Sequence, residues 1–366
     1  MKRTNFRGLV APTAAVLALG ISVSACGAAN EKAADSSSSS KLSGTLNGAG
    51  SSAQEAAQGA WQAGFQTTNP NVTVNYDPVG SGGGREQFLA GGVNFAGSDS
   101  YLKDEELAQS KSVCGGKTAI EVPDYVSPIA IVYNVDGVKD LQLSAKTAAK
   151  IFSGSITSWD DPAIKAENPS AKLPATKITY VHRSDDSGTT KNFTDWMSKA
   201  GEGAWTSDPD GLWPTKGGEG ANGTSGVIDA VTNGKGTIGY ADDSQAGDLS
   251  VAKIKVGSVY NAPSTDGAAK AVEGAKPVSG RESTDLALDI DRTTTEQGAY
   301  PLSLVSYLVG CPTYKDKATA DLVKSYFSYV VSTAGQKAAN TTAGSAPLPA
   351  SLASKAAGVV GQIAAK

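Results

Sequence analysis

The sequence predicts an α/β protein with two lobes, each built on a mostly parallel sheet flanked by helices. Strand, small-residue turn and helix follow one another repeatedly along the chain, which is typical of α/β sheets. Roughly 320 residues follow the amino-terminal segments, which is enough chain for two domains of about 100–200 residues each.

The amino-terminal segments predict export. Residues 1–25 are interpreted as a signal peptide, because a basic start precedes the apolar run Leu9–Val23 and a small-residue cleavage site. Val23-Ser24-Ala25-Cys26 resembles a bacterial lipobox, which implies a lipid on Cys26; a plain signal peptide with an incidental cysteine is the alternative. Residues 26–44 are small and polar and predict a flexible tether. We therefore expect an extracytoplasmic protein, lipid-anchored to the cell membrane.

The elements after the tether are predicted from hydrophobic periodicity. Apolar residues at offsets of three and four predict helices, whereas alternating or continuous short apolar runs predict strands. The predicted strands lie at 44–47, 72–76, 93–97, 127–134, 177–183, 236–240 and 302–309. The predicted helices lie at 57–65, through 88–89, and at 145–152, 161–166, 193–200, 226–232, 322–331 and beyond 347.

Two cysteines remain if Cys26 carries lipid. Cys114 and Cys311 form an even pair in an oxidising context, so a disulfide between them is one interpretation, and two buried free thiols are the other. With one histidine and no CxxC motif, neither a metal site nor a cofactor is expected. The formal charge of −4 argues against nucleic acid as a partner, but leaves room for a small buried anion held by local dipoles.

Four small-residue turns stand at the ends of predicted strands. They are Gly48–Ser52, Pro78–Gly84, Ser98-Asp99 and His182–Thr190. Ligands gather at the carboxyl ends of strands in open α/β sheets, and a helix that begins there aims N–H groups and its positive dipole end at an anion. One such turn is an ordinary helix cap. Four together favour an anion site.

The candidate ligands of this anion are hydroxyl and N–H donors from separate segments, with one arginine. They are Ser52, Ser81, Asp99, Arg183, Ser187, Gly188 and Thr189. A carboxylate suits an anion that carries a proton, as HPO4²⁻ does and sulfate does not, so Asp99 points to inorganic phosphate. Asp185 is predicted to orient Arg183; a solvated turn carboxylate is the alternative.

The four motifs carry a resemblance. Gly48-Ala49-Gly50-Ser51-Ser52, Val79-Gly80-Ser81-Gly82-Gly83, Gly97-Ser98-Asp99 and Arg183–Thr189, in this order, resemble the signature of the periplasmic phosphate-binding proteins of the bacterial high-affinity phosphate ABC transporter. Ala53 stands where that family often has phenylalanine, and His182 where it often has arginine. The resemblance extends from residue 46 to about residue 352.

This resemblance implies a type II periplasmic-binding-protein fold with the ligand in a cleft between the lobes. It places lobe I at 45–128 and 300–366, which would contain both Cys114 and Cys311, and lobe II at 129–299. It also implies that the seven candidates hold phosphate, and that permease subunits of an ABC transporter are the partners. We expect a monomer without enzymatic activity.

Other classes of function find less support. A serine hydrolase would use His182, but no Gly-x-Ser-x-Gly elbow follows a predicted strand. A phosphoryl-transfer enzyme would need a P-loop, and Gly115-Gly116-Lys117-Thr118 lacks its first glycine, because Lys111 occupies that position. Two alternatives on the same scaffold stay open: a site for another oxyanion, and a surface adhesin or antigen without a transport role.

Overall fold

The computed structural model describes residues 42–366. The predicted signal peptide, most of the predicted tether and Cys26 lie outside the described residues. Over the described part of the chain, no helix combines the length and the apolar character needed to cross a membrane.

The described residues form sixteen strands, eleven α-helices and one short 3-10 turn at Asp243–Gln245. The strands are β1 (Gly44–Gly50), β2 (Val72–Asp77), β3 (Phe95–Ser98), β4 (Ile120–Asn134), β5 (Gln142–Leu143), β6 (Thr179–Arg183), β7 (Glu219–Ala221), β8 (Thr237–Asp242), β9 (Ser250–Val251), β10 (Lys253–Val256), β11 (Val259–Asn261), β12 (Lys276–Pro277), β13 (Leu288–Asp289), β14 (Ser303–Gly310), β15 (Thr313–Tyr314) and β16 (Ala364–Ala365). The helices are α1 (Glu55–Thr68), α2 (Ser81–Leu89), α3 (Asp104–Ser110), α4 (Ala145–Phe152), α5 (Pro162–Glu167), α6 (Gly188–Ala200), α7 (Gly223–Asn233), α8 (Thr265–Glu273), α9 (Lys317–Val330), α10 (Thr333–Ala343) and α11 (Ala350–Val360).

The main sheet has nine strands in the order β2-β1-β3-β14-β4-β8-β6-β7, with β9 paired to β4. β1 runs parallel to β2 and β3, and β6 runs parallel to β8 and β7. β14 runs antiparallel to β3 and β4, and β4 runs antiparallel to β8. The α/β class is therefore confirmed, but the sheet is mixed, because its two central strands oppose the parallel strands on either side.

β4 connects the two halves of this sheet. Its residues 120–128 pair with β14, and its residues 129–134 pair with β8. The sequence predicted this strand only from 127, because Glu121 and Asp124 interrupt the apolar run before that point. Both side chains are fully buried in the structure. Glu121 is accommodated there because it accepts a hydrogen bond from the Leu102 N–H (2.7 Å) and contacts Arg281 (3.2 Å).

Aromatic side chains fill the core on both sides of the crossing strands. In the first half, the Phe95 ring packs against the rings of Tyr326 and Phe327, at centroid distances of 5.6 and 5.7 Å. In the second half, Phe193 stacks on Tyr240 at 4.3 Å. Phe193 belongs to the apolar face predicted for α6, and that face is buried in the structure. The periodicity thus identified the face of α6 that anchors the helix.

The carboxyl-terminal helices pack back onto the first half of the sheet. The Trp61 indole N–H of α1 donates to the Gly335 carbonyl of α10 at 2.9 Å. The sequence did not predict α10, whose eleven residues are mostly alanine, threonine and other small or polar residues without a clear apolar stripe. It also did not predict α3 and α8. The helix predicted beyond 347 is α11, which buries one face, including Leu352 and Val360.

Cys114 and Cys311 form a disulfide that joins positions 197 residues apart. The disulfide interpretation is confirmed, and the interpretation as free thiols is wrong. Both cysteines are buried in an apolar cluster that also contains Phe88, Leu89 and residues of α8. The bond therefore ties the loop after α3 to the end of β14.

Candidate functional site

The four small-residue turns meet at one place. Backbone N–H groups connect the first three: Ser51 donates to the Gly97 carbonyl at 2.9 Å, and Gly80 donates to the Gly50 carbonyl at 2.8 Å. The fourth turn joins through Gly82, which donates to the Asp186 carbonyl at 3.0 Å. The carboxyl ends of β1, β3 and β6 therefore converge, as α/β sheet geometry led us to expect.

Asp99 lies at the centre of this convergence and is 2% exposed. Its Oδ2 accepts a hydrogen bond from the Thr189 hydroxyl at 2.9 Å, and its Oδ1 accepts a short one from the Ser306 hydroxyl. Its backbone N–H donates to Ser81 Oγ at 3.1 Å. Both carboxylate oxygens are thus held by hydroxyl donors, one from α6 and one from β14.

Ser52 faces the first turn of α7. Its Oγ lies 2.9 Å from the Thr224 hydroxyl and accepts a hydrogen bond from the Thr224 N–H at 3.0 Å. The Ser52 carbonyl accepts from the Gln245 amide at 2.9 Å. The hydroxyl of Ser52 is therefore held by α7, and its carbonyl by the 3-10 turn at Asp243–Gln245.

Arg183 ends β6 and forms an ion pair with Asp185. The guanidinium Nε donates to Asp185 Oδ1 at 2.7 Å, and Nη2 makes a short contact with Oδ2. The Gly223 N–H also donates to Oδ1, at 3.1 Å. Burial raises the pKa of Asp185, but the hydrogen bonds and charge of Arg183 outweigh burial and hold the pKa below its ordinary value. The carboxylate is ionised and fixes the plane of the guanidinium.

The helix α6 begins at this site. Ser187 is its N-cap residue, and the Ser187 Oγ accepts from the Thr190 N–H at 3.2 Å. The Thr190 hydroxyl contacts the Tyr240 hydroxyl (2.7 Å), which in turn accepts from the Arg183 N–H (3.2 Å). Burial raises the pKa of Tyr240 to about 12, so the phenol stays neutral. Gly188 and Thr189, in the first turn, supply helix-end N–H groups.

Two glycines are required by close approach. A Cβ on Gly188 would lie 2.7 Å from both Asp99 Cβ and Ser81 Oγ. Gly80 has a φ of +91°, and a Cβ there would collide with Asp185 Oδ2. No other residue fits either position without moving its neighbours. The site is a small cage that opposing turns close tightly.

The structure brings all seven candidate residues into this cage, and none of the six with side chains is more than 4% exposed. Two further hydroxyls, those of Thr224 and Ser306, were missed. Ser306 is a polar residue in the apolar run of β14, at a β-bulge opposite Tyr125 and Pro123, and bulges re-aim side chains near functional sites. Asn222-Gly223-Thr224 is another small-residue turn before a helix. Sequence patterns could therefore have marked both Ser306 and Thr224 as candidates.

The contacts of His182 do not support the serine-hydrolase alternative. Its ring stacks on Trp213 at a centroid distance of 4.8 Å, and its two nitrogens lie 2.9 and 3.2 Å from the backbone carbonyls of Arg183 and Gly217. Both nitrogens face backbone carbonyls, and neither faces a serine hydroxyl. Within residues 42–366, no group of three or more histidine, cysteine, aspartate or glutamate side chains has the arrangement of a metal site.

Comparison with known proteins gives matches over most of the chain. The PBP superfamily domain matches residues 35–334. Phosphate-binding protein PstS 3 of Mycobacterium leprae is 37% identical over 297 residues, which cover 80% of this chain and 79% of that protein. The family match at residues 35–334 spans the segments that form the cage.

Two solved structures have a similar fold. One is a high-affinity periplasmic phosphate-binding protein (PfluDING) bound with phosphate, with a TM-score of 0.68 and 24% identity over 85% of this chain and 92% of that chain. The other is a phosphate-binding protein from Stenotrophomonas maltophilia, with a TM-score of 0.66 and 20% identity over 86% of this chain and 94% of that chain.

Proposed function

This chain belongs to the PBP superfamily and, within it, to the PstS phosphate-binding proteins, and on that premise we propose how it functions. It captures inorganic phosphate outside the cytoplasmic membrane and delivers the ion to the permease of an ABC transporter. The observation that carries this function is a buried carboxylate, that of Asp99, inside a cage of hydroxyl, N–H and guanidinium donors.

The cage suits a protonated tetrahedral oxyanion. Hydroxyls, helix-end N–H groups and a guanidinium donate to the oxygens of an anion, and their strength rises where water is excluded. A buried carboxylate repels an anion unless that anion donates a proton to it. HPO4²⁻ and H2PO4⁻ satisfy this condition near neutral pH, whereas sulfate has no proton to donate. Asp99 therefore distinguishes phosphate from sulfate.

Each candidate residue has a proposed role. The hydroxyls of Ser52, Ser81 and Ser187 and the N–H groups of Gly188 and Thr189 donate to the phosphate oxygens, while the Thr189 hydroxyl donates to Asp99. Arg183 provides the positive charge, and Asp185 orients its guanidinium, in keeping with their 2.7 Å contact. Ser306 and Thr224 hold Asp99 and Ser52 in place, because each contacts one of these two side chains directly.

The mechanism is capture by closure of two lobes. We place lobe I at 45–128 with 300–366 and lobe II at 129–299; the change of β4 from pairing with β14 to pairing with β8 at Pro128 and Ile129 supports this division. The packing of α8 in the apolar cluster of the disulfide favours moving that helix from lobe II to lobe I.

The contacts across the cleft match a closed form. Arg85 contacts Asp186 at 3.4 Å, and Lys103 contacts Asp210 at 3.5 Å; in each pair the cation lies in lobe I and the carboxylate in lobe II. Opening the cleft separates these pairs and exposes the cage. The closed form with its ligand is the one that the permease recognises.

An extracytoplasmic location follows from the family. We propose further that Cys26 carries the lipid that anchors the protein to the membrane, and that the protein acts as a monomer without enzymatic activity. A Cys26→Ala variant tests the anchor: it should leave the membrane fraction and appear in the medium, while binding phosphate as tightly as wild type.

Isothermal titration of the mature chain tests the function. Phosphate should give a saturable heat with a stoichiometry of one, and arsenate, a tetrahedral anion with the same protonation states, should compete with it. Sulfate should give no heat at neutral pH. A chain that binds no phosphate, or binds sulfate equally well, would not have the function proposed here.

A further inference from the structure

A buried arginine outside the cage reaches it through one intermediary. Arg292 lies between β13 and β14 and is 4% exposed. Its Nη1 donates to the Pro301 and Ser303 carbonyls, at 2.7 Å each, and its Nε donates to Asp195 Oδ2 of α6 at 2.9 Å. The guanidinium therefore ties the chain entering β14 to the helix that carries Ser187, Gly188 and Thr189.

The remaining nitrogen of Arg292, Nη2, fixes the orientation of Asn192. Nη2 of Arg292 makes a short hydrogen bond to Asn192 Oδ1. Because a guanidinium only donates, the amide oxygen has to face it and the amide nitrogen has to point the other way. That nitrogen donates to the Asp99 carbonyl at 2.7 Å and to the Gly188 carbonyl at 2.9 Å.

Asn192 thus holds the two components of the cage that must lie close together. Asp99 carries the carboxylate, and Gly188 belongs to the first turn of α6. Asp99 lies in lobe I and α6 in lobe II, so the Asn192 amide bridges the cleft. A cavity of about 250 Å³ borders Asp99, Asn192 and Arg292, which leaves the backbone room to shift if the amide is lost.

We propose that Arg292 and Asn192 are a positioning pair that sets the distance between Asp99 and the amino terminus of α6, and through it both the affinity for phosphate and the rejection of sulfate. The inference rests on the proposed function. Neither residue is a proposed ligand; they act through the placement of the carboxylate relative to the helix-end donors. A shift of a few tenths of an ångström weakens a charge-assisted hydrogen bond, so the effect on binding is direct.

The test uses Asn192→Asp, Asn192→Ala and Arg292→Lys in the mature chain. Asn192→Asp turns an oxygen toward the Asp99 and Gly188 carbonyls, and should raise the dissociation constant for phosphate by roughly a hundredfold; Asn192→Ala only removes the amide, and should raise it roughly tenfold. In both variants the ratio of sulfate to phosphate dissociation constants should fall. Arg292→Lys should raise the dissociation constant about as much as Asn192→Ala does. The double variant Asn192→Ala/Arg292→Lys should bind phosphate no more weakly than either single variant, since both changes break the same pair.

Arg281→Lys is the matched control, because Arg281 is another buried guanidinium, paired with Glu121 (3.2 Å) and Asp285 (3.0 Å), and its hydrogen bonds go to these two residues and to the Leu102 carbonyl and not to a cage residue. It should lower the melting temperature and leave both dissociation constants unchanged. Suppose that wild type binds phosphate, and that the Asn192 variants bind it within twofold of wild type or with the same ratio of sulfate to phosphate dissociation constants. The proposal of a positioning pair is then wrong, and the proposed function stands. If wild type binds no phosphate, the function fails and this inference fails with it.

Discussion

The hydroxyls of Ser52 and Thr224, 172 residues apart in the sequence, lie 2.9 Å apart. Ser52 belongs to the turn before α1, and Thr224 to the first turn of α7. The pair joins segments that we assign to different lobes, as the Asn192 hydrogen bond to the Asp99 carbonyl also does. Two separate hydrogen-bonded contacts therefore hold the proposed lobes together around the cage.

Thr224→Val should weaken phosphate binding about fivefold. Valine has nearly the same shape as threonine but removes the hydroxyl partner of Ser52, and a hydrogen bond of this kind contributes about 1 kcal/mol. Titration calorimetry measures the change. Thr232→Val, an exposed position on the same helix, is the control and should bind like wild type. Equal affinities for the two variants would remove Thr224 from any role in closure.

Asp99→Asn should weaken phosphate binding by about ten- to a hundredfold and allow measurable sulfate binding. The amide keeps the size of the side chain but replaces a charged acceptor, and a hydrogen bond to a charged group contributes about 1.5–3 kcal/mol. The amide can also donate to sulfate, which the carboxylate repels. Competition of sulfate against labelled phosphate shows the effect. An unchanged preference for phosphate over sulfate would mean that Asp99 does not accept a hydrogen bond from a protonated anion.

Gly188→Ala should abolish tight phosphate binding. The added methyl group would lie 2.7 Å from both Asp99 Cβ and Ser81 Oγ, so α6 has to move away from β3. Gly358→Ala is the control: a methyl group added to this helix glycine would have no neighbour within 4 Å, so alanine there should stabilise the protein by about 0.5–1 kcal/mol. Phosphate affinity, compared with the melting temperature, separates a local effect on the cage from a general loss of stability.

Replacing both Cys114 and Cys311 by serine should lower the free energy of unfolding by about 4–5 kcal/mol. The bond closes a loop of 197 residues, and the chain-entropy account assigns an effect of this size to long loops. Denaturant unfolding with and without reductant measures it. Since both cysteines are buried in an apolar cluster that contains none of the candidate ligands, the dissociation constant for phosphate should stay within twofold of wild type. A loss of less than about 1 kcal/mol would show that packing alone holds the two segments together.

Asp242 should make the protein less stable as the pH rises from about 4 to about 7. Burial raises the pKa of this carboxyl to about 7 from an ordinary value of 3.8, despite hydrogen bonds from Ser244 and Tyr125 that favour the charged form. In that window the folded state holds a proton that the unfolded state has lost, so stability falls by up to roughly 4 kcal/mol. Asp242→Asn should remove this slope.

Urea unfolding at a series of pH values measures the slope for both proteins. Burial also raises the pKa of Glu121 and Asp124, so the wild-type profile contains more than one contribution. The difference between wild type and Asp242→Asn isolates Asp242. If the two profiles run parallel between pH 4 and pH 8, the assigned proton is not on this residue.

The sequence predicted the cage better than it predicted the supports of the cage. The turns at Ser52, Ser81, Asp99 and Arg183 are local features, because each combines the end of a strand with small residues and the start of a helix. Ser306 reaches Asp99 only through the pairing of β14 with β3, 207 positions away. Such long-range pairing leaves no pattern in a single stretch of sequence.

The same limit applies to the fold. The amino-terminal part of β4 was missed because Glu121 looks incompatible with a buried strand until its partner is known. That partner, Arg281, is 160 residues away. The helices α8 and α10 are rich in alanine, glycine and threonine, so burial comes from close backbone approach and not from a stripe of large apolar side chains.

The fifteen-residue strand β4 has a mechanical consequence for transport. In the proposed division it belongs to both lobes, so a rotation of one lobe against the other twists a continuous ladder of backbone hydrogen bonds. Such a connection resists twisting, with a restoring torque that grows with the angle of rotation between the lobes. Under the proposed mechanism, the permease works against this stiffness when it separates the lobes to release the ion, and relaxation of the strand returns the empty protein to its resting angle.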